Sequence, residues 1–234
     1  MKIAIIGSSG AIGSAFLKHL HTKYPEAEIH TFSRHSSAKK HHHIIDYDDE
    51  KTIESAAHEA YQNIHFDLVI VATGILHNGA DLQPEKSLRD LSAEKFQTIF
   101  NANTIFPALA AKHFLPLLHK DKRSVFGALS ARVGSISDNH LGGWYAYRAS
   151  KAALNMIIKN ASIEMARRYK QAIIVGLHPG TVDSSLSKPF QSHVKEGKLF
   201  TPDFAAEKLI SVLDGLSPDD SGKCFGWDGQ EIPA

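Results

Sequence analysis

Tyr147 and Lys151 stand four residues apart in the run Trp144 to Asn155, which reads W-Y-A-Y-R-A-S-K-A-A-L-N. On a helix that spacing is about one turn, so the phenol and the ammonium project from one face. A cation beside a phenol favours the tyrosinate and pulls its pKa below the ordinary value of about 10. A tyrosine tuned in this way passes a proton to or from an alcohol or carbonyl oxygen near neutral pH. The same pattern also arises by chance as an interfacial tyrosine and a solvated lysine. It gains meaning only if the rest of the chain can bring a ligand to it.

The amino terminus supplies such an element. Lys2–Ile6 is a short apolar, β-branched run, as expected of a buried parallel strand. It leads directly into Gly7-Ser8-Ser9-Gly10-Ala11-Ile12-Gly13, and residues 14–20 then read as the first turns of a helix. Strand, glycine-rich turn and helix is the setting that a dinucleotide loop requires. Glycines let the backbone approach a pyrophosphate, and the free N–H groups of the helix N-terminus receive its charge.

A second strand is expected over residues 28–32, followed by Ser33-Arg34. An acidic residue at that strand end would accept bonds from a free ribose 2′-hydroxyl. Serine with an adjacent arginine suits a 2′-phosphate instead, so the sequence favours NADP(H) over NAD(H). A third strand over residues 43–45 ends at Asp46-Tyr47, where a side chain can flank adenine. The run His41-His42-His43 is not read as a metal site. Neighbours on an extended segment face opposite ways, so three in a row cannot meet one ion.

Further stretches carry a resemblance. They are G-S-I-S-D-N-H-L-G-G-W-Y-A-Y-R-A-S-K-A-A-L-N over residues 134–155, then His178-Pro179-Gly180-Thr181-Val182-Asp183-Ser184, then Trp227-Asp228-Gly229-Gln230-Glu231-Ile232-Pro233. With the glycine loop, they make the chain resemble the short-chain dehydrogenase/reductase family over its whole length, closest to the C-factor-like and sniffer-like carbonyl reductases. The resemblance implies Tyr147 as catalytic acid/base and Lys151 as holder of the nicotinamide ribose. It implies Asn103 as support for a water-linked proton relay. Pro179, Gly180, Thr181 and Val182 would lie along the nicotinamide, and Asp46 would contact adenine.

The chain departs from that family in three places. Ala11 stands where the glycine loop usually has glycine. Ala72-Thr73-Gly74 replaces the asparagine-alanine-glycine motif after the fourth strand, and Thr73 can take over some of the lost contacts. Ala131 stands where the family keeps the serine that binds the reacting oxygen. Ser130 or Ser135 would then supply the hydroxyl, with Ser135 favoured because the loop toward Tyr147 carries extra residues.

Strand-like runs at residues 68–72, 124–129 and 172–177 alternate with helical spacing over 94–118 and 149–169. This predicts an α/β fold: a single Rossmann-type domain, residues 1–234, with a doubly wound parallel sheet. Residues 78–91 read as surface loop, and residues 183–201 as a segment that covers the substrate. The helix over 149–169 is apolar on more than one face, which, with the resemblance, points to a homodimer or homotetramer.

The chain has 234 residues with 26 Lys+Arg, 25 Asp+Glu and a net charge of +1, which offers no general attraction to nucleic acid or anionic membrane. Cys224 is the only cysteine, so no internal disulfide can form. The longest apolar run is too short to cross a bilayer, and the first strand begins at Lys2, so a cytoplasmic location is expected. The sequence thus predicts an NADP-dependent oxidoreductase interconverting a small-molecule carbonyl and alcohol, without a metal. The alternative is a nucleotide-binding regulatory protein of the same fold with little turnover, favoured by Ala131 and by the missing asparagine at Ala72.

Overall fold

A computed structural model of the chain describes residues 1–234 apart from the side chain of His193. Side-chain alternation sets its layers. In β1 (Lys2–Ile6), Ala4 and Ile6 enter one apolar cluster, while Ile3 and Ile5 enter another. β4 (Leu68–Val71) repeats this, with Val69 and Val71 on the first side and Leu68 and Ile70 on the second. Strands apolar on both faces need cover on both. Phe106 and Phe114 of α4 (Phe106–Phe114) and Leu154 and Ile158 of α5 (Tyr145–Met165) cover the first face, with Ala56 and Ala57 of α2 (Glu50–Tyr61). Phe16 and Leu20 of α1 (Ala11–Lys23) and Leu209 and Leu213 of α6 (Pro202–Gly215) cover the second.

The sheet has eight strands in the order β10-β9-β6-β5-β4-β1-β2-β3, where β2 is Glu28–Ser33, β3 His42–Ile44, β5 Ser124–Leu129, β6 Ala172–His178, β9 Cys224–Gly226 and β10 Glu231–Ile232. Only the β9–β10 pair is antiparallel. The strand order reverses between β1 and β4, which opens a crevice beyond their carboxyl ends. This is the doubly wound fold expected. Two short parallel strands, β7 (Thr181–Val182) and β8 (Leu199–Phe200), brace the segment between them.

Several boundaries differ from the sequence reading, those of β2, β4 and β6 by one residue at their ends. β3 begins and ends one residue earlier than expected. The helical run over 94–118 is α3 (Ala93–Phe100), a wide π turn at Asn101–Ile105, α4 and a 3₁₀ turn at Leu115–Leu117. α5 starts at Tyr145 and ends at Met165, not 149 and 169. Its start has no local side-chain cap, and Trp144 before it has a left-handed backbone (φ 50°). The cap comes from Glu85, whose carboxylate accepts from the Ala146 N–H at 3.2 Å and whose carbonyl accepts from the Trp144 N–H at 2.6 Å. Residues 78–91 are therefore not mere surface, since Leu82 and Glu85 are buried.

His42 and His43 do face opposite ways. His42 Nδ1 meets the Thr31 hydroxyl at 2.9 Å, while His43 Nε2 meets His30 Nδ1 at 3.0 Å.

Candidate active site

A cleft of about 340 Å³ lies beyond the carboxyl ends of β1, β4, β5 and β6. Gly10, Ala11 and Ile12 line it from the β1–α1 turn, Ala72, Thr73 and Gly74 from the end of β4, and Ser130 and Ala131 from the end of β5. Tyr147 and Lys151 enter from α5, and His178, Pro179, Gly180, Thr181 and Val182 from the end of β6. Residues of the 183–201 segment, Leu186 and Phe190 among them, complete the wall.

Close approach explains the glycine loop. Gly7 has φ +82°, and a Cβ there would sit 2.7 Å from the Ala72 carbonyl oxygen; one at Gly13 would sit 2.1 Å from that of Gly7. A side chain at Gly7 would push against the end of β4, and one at Gly13 would lift α1 off the turn. Gly10 precedes α1 with no side-chain cap, so the first N–H groups of the helix are free for an anion. Ala11 is exposed, and its methyl leaves the turn open. Beside this turn the Thr73 hydroxyl is buried without a hydrogen-bond partner. An uncapped helix terminus, a glycine-lined approach and an orphaned hydroxyl together fit a dinucleotide.

The adenosine-side candidates lie outside the cleft wall, at the ends of β2 and β3. Arg34 is exposed, its guanidinium 5.1 Å over the ring of Tyr47, which lies 4.0 Å from the ring of Phe106. No ion pair engages Arg34 among the described residues. Asp46 is exposed, and its Oδ1 accepts from the Asp48 N–H at 3.0 Å. Ser33 differs from the expectation of a cofactor contact. It is 2% exposed, and its hydroxyl donates to the His35 carbonyl at 3.0 Å. Burial and that bond back to its own chain use up the hydroxyl. Ser9 is exposed and outside the wall.

Asn103 sits in the π turn, where the widened helix lets its amide reach across to the β4 loop. Its Oδ1 accepts from the Ile75 N–H at 2.7 Å, and its Nδ2 donates to the Ile75 carbonyl at 2.8 Å and to Ser150 Oγ at 3.2 Å. Lys151 Nζ donates to the Leu129 carbonyl at 2.8 Å. A Cβ at Gly74 would lie 3.2 Å from Asn103 Oδ1 and 3.3 Å from Lys151 Nζ, so the two groups flank one point of the cleft floor.

The tyrosine does not titrate as the four-residue spacing predicts. Burial pushes the Tyr147 phenol up to about 12, and burial brings Lys151 down to about 8. The lysine stands 6.0 Å from the centre of the tyrosine ring and directs its hydrogen bond to Leu129, so desolvation outweighs attraction.

The hydroxyls near Ala131 also depart from expectation. Ser135 is 2% exposed and absent from the cleft wall; its Oγ accepts from the Asp138 N–H at 3.1 Å and faces the Ala234 carbonyl at 3.5 Å. The 3₁₀ turn Arg132–Gly134 carries it past the cleft, because Gly134 packs so closely on α5 that a Cβ would meet Lys151 at 2.8 Å. Ser130 does line the cleft, but its hydroxyl donates to Asn155 Oδ1 at 2.6 Å.

Residues without an assigned role in the sequence also enter the site. The Trp144 ring lies 6.2 Å from that of Tyr147 and 5.2 Å from that of Phe190, forming an aromatic wall. His178 brings an imidazole whose buried Nδ1 has no partner. Burial first, then Arg132, bring it down to about 4 against the pull of Asp228, so the ring is neutral at pH 7. The H-P-G run that announced a cofactor strand was the one sequence signal for it.

The short chain dehydrogenase family model matches residues 2–195. C-signal of Myxococcus xanthus is 33% identical over 147 residues, 63% of this chain and 83% of that protein. In three dimensions the chain is similar to an NADPH-bound carbonyl reductase from chicken fatty liver, with TM-score 0.83 and 22% identity over 100% of this chain and 98% of that one. It is also similar to the carbonyl reductase Sniffer of D. melanogaster, with TM-score 0.82 and 20% identity over 100% and 99% of the two chains. At those identities the structures speak to fold.

Proposed function

The chain belongs to the short chain dehydrogenase family of oxidoreductases, and from that premise we propose that it is an NADP-dependent enzyme interconverting a carbonyl and an alcohol. The observation that carries this reading is the meeting of Tyr147 and Lys151 at one cleft whose other end is a nucleotide-fitting glycine turn, with Asn103 buried behind Gly74 of its wall. Bound NADPH supplies the hydride. Tyr147 keeps its proton at pH 7 and gives it to the carbonyl oxygen as negative charge develops there. Lys151, anchored on Leu129, holds the ribose hydroxyls, and Asn103 fixes the loop around Ile75 that faces them. Gly10, Ala11 and Ile12 cradle phosphate with backbone N–H groups, with Thr73 beside them; Pro179, Gly180, Thr181 and Val182 run along the nicotinamide. Arg34 over Tyr47 meets the 2′-phosphate, which favours NADP(H) over NAD(H).

The substrate half of the cleft is bounded by Leu76, Val133, Trp144, Leu186, Phe190 and Val194, and the ionisable side chains of the wall are Tyr147, Lys151 and His178. That lining fits an uncharged, apolar aldehyde or ketone. The segment over 183–201 closes on it, braced by β7 and β8, and excludes water. Oxidation of NADPH and of NADH, followed with a panel of aromatic and aliphatic carbonyls, tests the reading. Turnover with NADPH supports it, and tight NADPH binding without turnover on any carbonyl favours the regulatory alternative, for which Ala131 speaks.

A further inference from the structure

A carbonyl oxygen that accepts a hydride's worth of charge benefits from a second hydrogen-bond donor beside the acid that protonates it. The hydroxyls expected for this task are not free. Position 131 carries a methyl, Ser130 gives its proton to Asn155, and Ser135 lies behind the cleft. Thr73 is free but stands against the glycine turn, with its Cγ2 2.8 Å from the Cβ position of Gly7. The other orphaned group of the wall is His178 Nδ1. Sheet register sets its place: Leu129, whose carbonyl anchors Lys151, pairs with Leu177, and His178 follows Leu177. The imidazole therefore enters the wall at the end of the strand beside the anchor of Lys151.

We propose that His178, through Nδ1–H, holds the carbonyl oxygen that Tyr147 protonates, and so does the work of the missing hydroxyl. The inference rests on the oxidoreductase reading above. His178 donates a hydrogen bond only. The proton that forms the alcohol comes from Tyr147, and no bond to the imidazole is made or broken. A buried donor with no protein partner is costly to keep, and a substrate oxygen satisfies it. As a neutral ring it stabilises developing charge without adding a second buried cation beside Lys151.

The test compares steady-state reduction and NADPH binding in the parent, His178→Leu, His178→Asn and the double variant Ala131→Ser/His178→Leu. Loss of one such donor slows turnover on the order of 100-fold or more. His178→Leu should lower kcat by that factor, with NADPH affinity within about two-fold of the parent. Asparagine places its amide N–H close to the position of Nδ1, so His178→Asn should recover about ten-fold or more of the loss. The serine installed at position 131 should do the same in the leucine background. A rescue by either donor is an effect that repair of packing would not produce. An active parent, with Tyr147→Phe inactive and His178→Leu at full rate, overturns this inference and leaves the enzyme reading intact. Loss of NADPH affinity in parallel with kcat, with no rescue by either donor, also overturns it, by assigning His178 to the cofactor. A parent that reduces no carbonyl overturns both.

Discussion

Tyr147 keeps its proton because its ring is walled by Trp144 and the cleft, and this makes it an acid suited to the reducing direction. Tyr147→Phe removes the proton and keeps the ring. Reduction should fall by roughly 100- to 10,000-fold, while NADPH titration stays near that of the parent; near-normal reduction would refute the assigned role. Ser135→Ala should change kcat by less than about two-fold, because its hydroxyl serves the turn at Asp138 and not the cleft. A collapse of turnover in that variant would return the serine to the site. Arg34→Ala should weaken NADPH binding by about 1–3 kcal/mol, the range for a charge-assisted bond, and leave NADH binding nearly unchanged. Titration of both cofactors reads this directly. Equal losses for the two would remove the 2′-phosphate argument.

At the scale of elements, the first turn of α5 carries the acid, yet nothing in its own sequence begins the helix. Glu85, 3% exposed, reaches it from a loop read as surface. A carboxylate at a helix N-terminus satisfies free N–H groups and opposes the helix dipole. Glu85→Ala should therefore cost about 1–2 kcal/mol in urea unfolding, with a smaller loss for Glu85→Gln, which keeps the acceptor. No loss in either variant would show that Trp144 and the glycines before it set the start alone. The π turn is the matching case on the preceding helix. The sequence marks Asn103 as a polar residue in an apolar helix, but the extra backbone width that aims its amide at Ile75 follows from contact with the β4 loop.

For the whole molecule, burying Lys151 couples folding to pH. Its folded pKa of about 8 lies below the ordinary value of 10.5. Below pH 8 both states hold the proton and the full penalty stands. Above pH 8 the unfolded chain binds more protons than the folded one, so stability rises with pH toward 10.5. Tyr147 acts with the opposite sign only above pH 10, where the unfolded phenol ionises first. Between pH 8 and 10 the parent should thus gain about 2 kcal/mol relative to Lys151→Met. Urea unfolding at the two pH values measures it, and parallel curves would show that the lysine is solvated. The outer face of α5 leaves Met156 and Ile163 61% and 52% exposed, two turns apart, and Ile105 adds to the apolar area. We propose that this surface joins subunits of a homodimer or homotetramer. Light scattering on the parent and on Met156→Lys/Ile163→Lys tests it, a monomeric parent being the contrary result.

By itself the sequence determined the six strands β1–β6 to within a residue at each end, the glycine turn and the Tyr147–Lys151 pair, because each rests on neighbours in the chain. Both-face apolar runs such as Lys2–Ile6 require a covered parallel strand, and the glycine at 13 answers to contact with Gly7 within one βα unit. What only the tertiary structure decided depends on groups far apart in sequence. The pKa of Tyr147 follows burial, not the lysine one turn away. Ser135 lost its expected role to the close packing of Gly134 on α5, and Ser130 to a bond with Asn155, 25 residues on. Glu85 and His178 emerged because a cap 61 residues away and an orphaned imidazole are properties of packing, on which local periodicity is silent.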